Sequence, residues 1–145
     1  MKSSPRNLAM NWLARREHSE AELRDKLAAR EFEPEIIAKT VAELASDGLV
    51  SDERFAESFV KARMRKGQGP VRIRAELKKR GVSAELVQLH VYDAGQDWCA
   101  LAREVRGRKF GDVIPAEFRE KAKQMRFLEY RGFDTEQINA AVGKG

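Results

Sequence analysis

Nine basic side chains fall within residues 61–80, against one acid, Glu76. Lys61, Arg63, Arg65 and Lys66 close one segment, and Arg72, Arg74, Lys78, Lys79 and Arg80 run through the next. Ammonium and guanidinium groups at this density bind polyanions, by neutralising phosphates or pairing with carboxylates. Helical spacing sorts them further. Ile73 and Leu77, four apart, share an inward stripe, while Arg74 with Lys78 and Arg72 with Lys79 form rows on either side of it. Arg63, Arg65, Lys66, Arg72, Arg74, Lys78 and Lys79 are therefore the candidate binding residues. Arg80 and Arg131 are sufficiently explained by the attraction of cations to helix C-termini.

Material for catalysis is poor. Cys99 is the single cysteine and His18 and His90 are the two histidines, too few for a typical structural zinc site. No Gly-x-x-x-x-Gly-Lys-Ser/Thr loop occurs, and Gly67-Gln68-Gly69 lacks the strand that a dinucleotide fingerprint requires. Asp and Glu gather at helix starts and on polar faces, where capping and solubility account for them. The expectation is a binding protein with no catalytic residue, no metal and no cofactor. Phe55, Phe59, Phe127 and Trp12 fit inward helical spacing and are expected in the core rather than as base-stacking platforms.

The charge is unevenly placed. Residues 1–50 carry 8 basic and 9 acidic groups, residues 51–96 carry 10 and 6, and residues 97–145 carry 10 and 8, making the total of +5. The middle third is thus the most positive. A lone cysteine permits no internal disulfide, which suits a reducing cytoplasm. No signal core and no apolar run of membrane-spanning length is expected to place the chain in or across a bilayer.

The elements that would carry these residues repeat. Leu27, Leu77 and Leu128 stand 50 and 51 residues apart. Arg30, Arg80 and Arg131 keep the same register, as do Phe32, Val82 and Phe133, then Glu35, Glu85 and Glu136. Each segment reads as a helix ending in a basic turn, a left-handed residue, an apolar residue that packs back, and a capped second helix. Gly81 and Gly132 fill the left-handed position, but the first repeat has Glu31 there and Pro34 at the first turn of its next helix. Ser83 and Asp134 are N-caps, Ser19 with Glu22 forms a capping box, and Asp52 is expected to cap a further helix.

A third helix precedes each pair, marked by Leu8, Trp12 and Leu13, by Phe55, Phe59 and Val60, and by Leu101, Ala102 and Val105. The fold expected is all-α: three tandem three-helix repeats at 1–50, 51–96 (the basic one) and 97–145, forming an elongated, curved molecule. Lys66-Gly67-Gln68-Gly69-Pro70 is the pronounced break. It is expected to fold the two basic helices toward each other within the second repeat.

The run Asp52-Glu53-Arg54-Phe55-Ala56, with Arg63, Gly69, Arg72-Ile73, Leu77 and Lys79-Arg80-Gly81-Val82, resembles the RecX family of recombination regulators. Upstream, Leu13-Ala14-Arg15-Arg16-Glu17-His18-Ser19, Glu22-Leu23 and Lys26-Leu27 resemble that family's first repeat, and Arg131-Gly132-Phe133 marks the third. The resemblance implies a cytoplasmic regulator that binds the RecA nucleoprotein filament on single-stranded DNA and inhibits its growth and its recombinase and co-protease activities. A monomer is expected.

Two other readings compete. A helix-turn-helix-like DNA-binding module would need base-reading side chains where the helices after Ser83 and Asp134 carry Glu85 and Glu136. A protein-only adaptor would bind its partner without DNA and without sensitivity to salt.

Overall fold

The computed structural model describes residues 3–143, so residues 1–2 and 144–145, the outer ends of the first and third repeats, lie outside the described residues. Among the described residues there are nine α-helices and no strand: α1 Pro5–Arg15, α2 Glu20–Ala29, α3 Pro34–Ser46, α4 Asp52–Arg65, α5 Pro70–Lys79, α6 Ala84–Val87, α7 Trp98–Phe110, α8 Phe118–Tyr130 and α9 Thr135–Val142. Helix α6 continues as a π-helical turn over Gln88–Tyr92. The all-helical expectation and the order of three helices per repeat hold.

Local chemistry sets the helix starts. Ser4 caps α1 with Pro5 in its first turn, and Ser19 with Glu22 closes the capping box on α2. Asp134 forms a second box on α9, reciprocated by Gln137. At α4 the expectation needs correction. The Ser51 hydroxyl accepts from the Arg54 amide at 3.1 Å, so Ser51 is the cap, and the Asp52 carboxylate instead accepts from the Glu20 amide at 2.8 Å. Both residue types cap well; a tertiary partner claimed Asp52.

By contacts the chain divides into two compact units. One comprises the residues up to Phe59 with Leu77–Val87, and the other Val60–Glu76 with the residues from Gln88 onward. The division passes through the second repeat, since α4 and α5 each contribute to both units.

The first unit is built on Ala9, Leu23, Leu27, Ile37, Val41, Leu44 and Val50, with Trp12, Leu13 and Phe32 packed against them. Ile37, Val41 and Leu44 recur at intervals of four and three, one stripe of α3. Phe55 and Phe59 are also buried, their rings 5.5 Å apart. The second unit has its own core of Ala102, Val105, Leu128, Phe133, Ile138, Ala141 and Val142. Phe127 is partly buried against it and meets Phe110 edge-on at 5.3 Å.

The π-turn after α6 has a local explanation. The Asp93 amide reaches back to the Gln88 carbonyl at 3.0 Å, a five-residue step, and the widened turn presents carbonyls sideways. The Trp98 indole N–H donates to the Val91 carbonyl at 2.8 Å, and the Gln96 amide to that of His90 at 2.8 Å. These bonds hold the start of α7, which Asp97 caps.

Candidate polyanion-binding site

In the second unit, α4 ends at Arg65 and the chain reverses over residues 66–69 before Pro70 opens α5. Gly67 takes a φ of +76°, and the Gly67 and Gln68 amides return to the Met64 and Arg63 carbonyls at 2.9 and 3.1 Å. Arg63 is half-buried and donates to the Gln68 side chain at 3.3 Å, so it holds this loop.

The loop is also held by main-chain bonds from the turn between α8 and α9. The Gly69 amide donates to the Arg131 carbonyl at 2.8 Å and the Val71 amide to the Gly132 carbonyl at 2.9 Å. The first amides of a helix have no partner within it; here Pro70 has none to offer and Gly132 accepts from Val71. The approach is too close for side chains. A Cβ on Gly69 would strike the Gly132 carbonyl oxygen, and one on Gly132 would strike the Cβ of Arg72.

Around this joint the cations divide into two kinds. Arg131 is half-buried, donates to the Lys66 carbonyl at 3.1 Å and lies 5.1 Å from the centre of the Phe127 ring. Arg72 is half-buried and lies 6.0 Å from the centre of the exposed Tyr130 ring. Arg65, Lys66 and Arg74, by contrast, are exposed, and among the described residues no carboxylate lies within ion-pairing reach of them.

In the first unit, Lys78 and Lys79 at the end of α5 are likewise exposed and without a carboxylate in reach among the described residues. Their neighbour Arg80 differs. It donates to the Glu22 carboxylate at 2.7 Å and lies 5.1 Å from the centre of the Phe59 ring. Ile73 and Leu77 are fully buried, as their spacing requires. The helix-dipole account of Arg80 and Arg131 is thus incomplete, since both also hold tertiary partners.

Two further cations lie outside the sequence candidates. Arg108 and Lys109 at the end of α7 line a cavity of about 270 Å³ with Arg65, Lys66, Phe127 and Arg131. A basic pair ending a helix is ordinarily accounted for by dipole compensation, so in sequence it carries no distinctive signal.

His18 and Cys99 have local surroundings that explain them. His18 is buried, its Nδ1 3.0 Å from the Arg16 carbonyl and its Nε2 3.0 Å from the Lys26 ammonium. An ammonium can only donate, so Nε2 accepts and Nδ1–H donates, which makes the ring neutral. Burial, with the charges of Arg16 and Lys26, lowers its pKa below the ordinary 6.5. Cys99 is half-buried, and desolvation with the carboxylates of Glu136, Asp97 and Asp134 raises its thiol pKa, the reverse of thiolate activation. No helix among the described residues is long and apolar enough to cross a membrane.

Fold and site together define a protein of tandem three-helix repeats that presents unpaired cations around a backbone-locked loop. The profile for RecX, first three-helix domain, matches residues 6–44, that for the second matches 51–89, and that for the third matches 96–142. The chain is 46% identical to the regulatory protein RecX of Halorhodospira halophila over 137 residues, covering 94% of this chain and 85% of that one. It is 45% identical to that of Pseudomonas fluorescens over 141 residues, covering 97% and 91%. Its fold matches the crystal structure of RecX from Lactobacillus salivarius with a TM-score of 0.72 at 24% identity, over 95% of this chain and 92% of that one. The chain belongs to the RecX family of regulatory proteins.

Proposed function

We propose that this protein is a non-enzymatic, cytoplasmic regulator that binds the RecA filament on single-stranded DNA and restrains its growth. Membership of a regulatory family supports the role. The observation that carries the mode of binding is the set of exposed cations with no carboxylate in reach among the described residues: Arg65, Lys66, Arg74, Lys78 and Lys79. Cations already paired within the fold would have to break those pairs before engaging a phosphate. These five need only shed water and counterions.

The mechanism is occupancy. A protein held along a filament by several such contacts hinders the addition of the next subunit. Each exposed contact is weak and screened by salt, so binding strength comes from their number.

The experiment is to reverse Arg74, Lys78 and Lys79 to Glu together and measure inhibition of RecA ATPase on single-stranded DNA. All three side chains are exposed, so the variant is expected to fold, which circular dichroism checks. At least a tenfold rise in the concentration for half-inhibition is expected, with inhibition by the wild-type protein falling as salt is raised. Undiminished inhibition by the folded variant overturns this reading.

A further inference from the structure

The cavity ringed by Arg65, Lys66, Arg108, Lys109 and Arg131, with Phe127 in its wall, has no carboxylate among its lining residues. Its cations come from three places in the chain, namely the end of α4 with the loop after it, the end of α7 and the turn after α8. Arg131 is fixed by the Lys66 carbonyl and the Phe127 ring, and Lys109 lies 5.8 Å from the centre of that same ring. Arg108 is paired with Glu104 on its own helix. Arg65 and Lys66 are exposed with no carboxylate in reach among the described residues. Anchored cations beside unpaired ones make a concave site complementary to a group with more than one anionic oxygen, which is the geometry of a phosphate.

One helical turn beyond Phe127, Tyr130 exposes 79% of its surface, with Arg72 beside its ring. An aromatic ring this open beside a cationic cavity fits the arrangement by which proteins hold single strands, with phosphate in a basic groove and an unpaired base on an aromatic face. A duplex keeps its bases stacked and offers Tyr130 no such face.

We propose that the cavity binds a backbone phosphate of single-stranded nucleic acid, with an adjacent base stacked on Tyr130. This deepens the function proposed above and rests on it for the nature of the polymer. It adds Arg108, Lys109, Arg131 and Tyr130 to the cations already assigned.

The test is anisotropy of a fluorescent oligo-dT of about 20 nucleotides, and of a duplex of equal length, titrated with the full chain across a range of salt. Three variants are compared: K66Q/K109Q in the cavity, R119Q/K123Q as an exposed charge-matched control on α8, and Y130A. The cavity variant is expected to lose about tenfold or more in affinity, with the salt slope falling by about 0.7 for the one lost phosphate contact. The control is expected to lose less than about threefold. Y130A is expected to lose about tenfold on the single strand and little on the duplex.

Equal losses in the cavity and control variants overturn the site, because net charge alone would then explain binding. An equal effect of Y130A on single strand and duplex, or none on either, overturns the stacking. Displacement of the strand from wild type by poly-glutamate of matched charge, as readily as by unlabelled oligo-dT, would show a site for acidic protein segments and overturn the assignment to nucleic acid. The outcomes stay separable from the regulatory reading. Normal oligo-dT binding by K66Q/K109Q sinks the cavity even if R74E/K78E/K79E has lost RecA inhibition. Selective loss in K66Q/K109Q keeps the cavity even if the wild-type chain leaves RecA unaffected.

Discussion

The Ser19 hydroxyl donates to the Arg80 carbonyl at 2.7 Å while its oxygen also accepts from the Glu22 amide at 3.1 Å. One fully buried side chain thus caps α2 and takes up an orphan carbonyl at the end of α5. Ser19→Ala removes the cap and leaves that carbonyl unsatisfied. A loss of about 2 kcal/mol is expected, combining the usual value of a cap with one buried hydrogen bond. Urea denaturation checks it; a loss below about 0.5 kcal/mol would mean water replaces the hydroxyl without penalty.

Arg80 and Lys79 are adjacent in sequence, and opposite effects are expected from truncating them. Arg80 is held by Glu22 and Phe59, and Lys79 is exposed with no carboxylate in reach among the described residues. Arg80→Ala should cost roughly 1–3 kcal/mol by stranding a partly buried carboxylate, and Lys79→Ala should leave thermal stability nearly unchanged. Only the second is expected to weaken polyanion binding without weakening the fold. Equal destabilisation by both would contradict the division between structural and ligand-facing cations.

His18 makes stability depend on mild acid. Its folded pKa is lowered, mainly by burial, so the folded state favours the neutral ring. The stability it contributes is present above the ordinary 6.5 and is lost as pH falls below that value toward the folded pKa. Glu22 titrates in a lower window. Burial alone would raise its carboxyl, but hydrogen bonds from Arg16 and Ser19 and the charges of Arg16 and Arg80 bring it below its usual value of 4.5. Between about pH 7.5 and 5.5 the wild-type urea midpoint should therefore fall, and fall less in His18→Gln. Identical slopes for the two proteins would exclude His18 as the source.

Glu31 adopts a φ of +66° at the end of α2, the conformation that Gly81 and Gly132 supply in the other repeats. A side chain in the left-handed region costs about 1–2 kcal/mol, partly offset by the greater freedom of glycine in the unfolded chain. Glu31→Gly is expected to stabilise the protein by up to about 1 kcal/mol, or about 3 °C in melting temperature for a chain of this size. A lower melting temperature would show that the Glu31 side chain has a role beyond its strained backbone.

Gly132→Ala should do the reverse. Its φ is +98° and the added methyl would meet Arg72. Strain and overpacking together are expected to cost about 2–4 kcal/mol, seen as an earlier urea midpoint. Gly48→Ala, also at positive φ but with open space around it, gives the backbone cost alone. Equal losses at the two positions would remove the steric argument.

Much of the fold was readable because its punctuation is local. Ser19, Ser83 and Asp134 cap helices through bonds to amides three residues on, and Gly81 and Gly132 take the left-handed conformation, as type and spacing imply, though Ser19 and Gly132 also meet distant partners. The sequence misled where a local preference met a distant partner. Ser51 and Asp52 are both good caps, and the Glu20 amide, more than thirty residues away in sequence, decided between them. The site was half legible for the same reason. Arg74, Lys78 and Lys79 stood out by density along one segment. Arg108, Lys109 and Arg131 are brought beside Lys66 only by the packing of α7 and α8, and Tyr130 became a candidate only once its exposure was seen.

The joint at Gly69 and Gly132 consists of main-chain atoms, and its demands on residue type are two missing methyl groups and the positive φ of Gly132. Arg131 enters it through its main-chain carbonyl and braces the loop through its side chain, but the side chains of Arg65, Lys66, Arg108 and Lys109 contribute no bond to it. Those four side chains can be exchanged or removed while the scaffold stays fixed. Grip on a polymer can thus be tuned independently of architecture, and ligand affinity should be open to engineering here without loss of the native state.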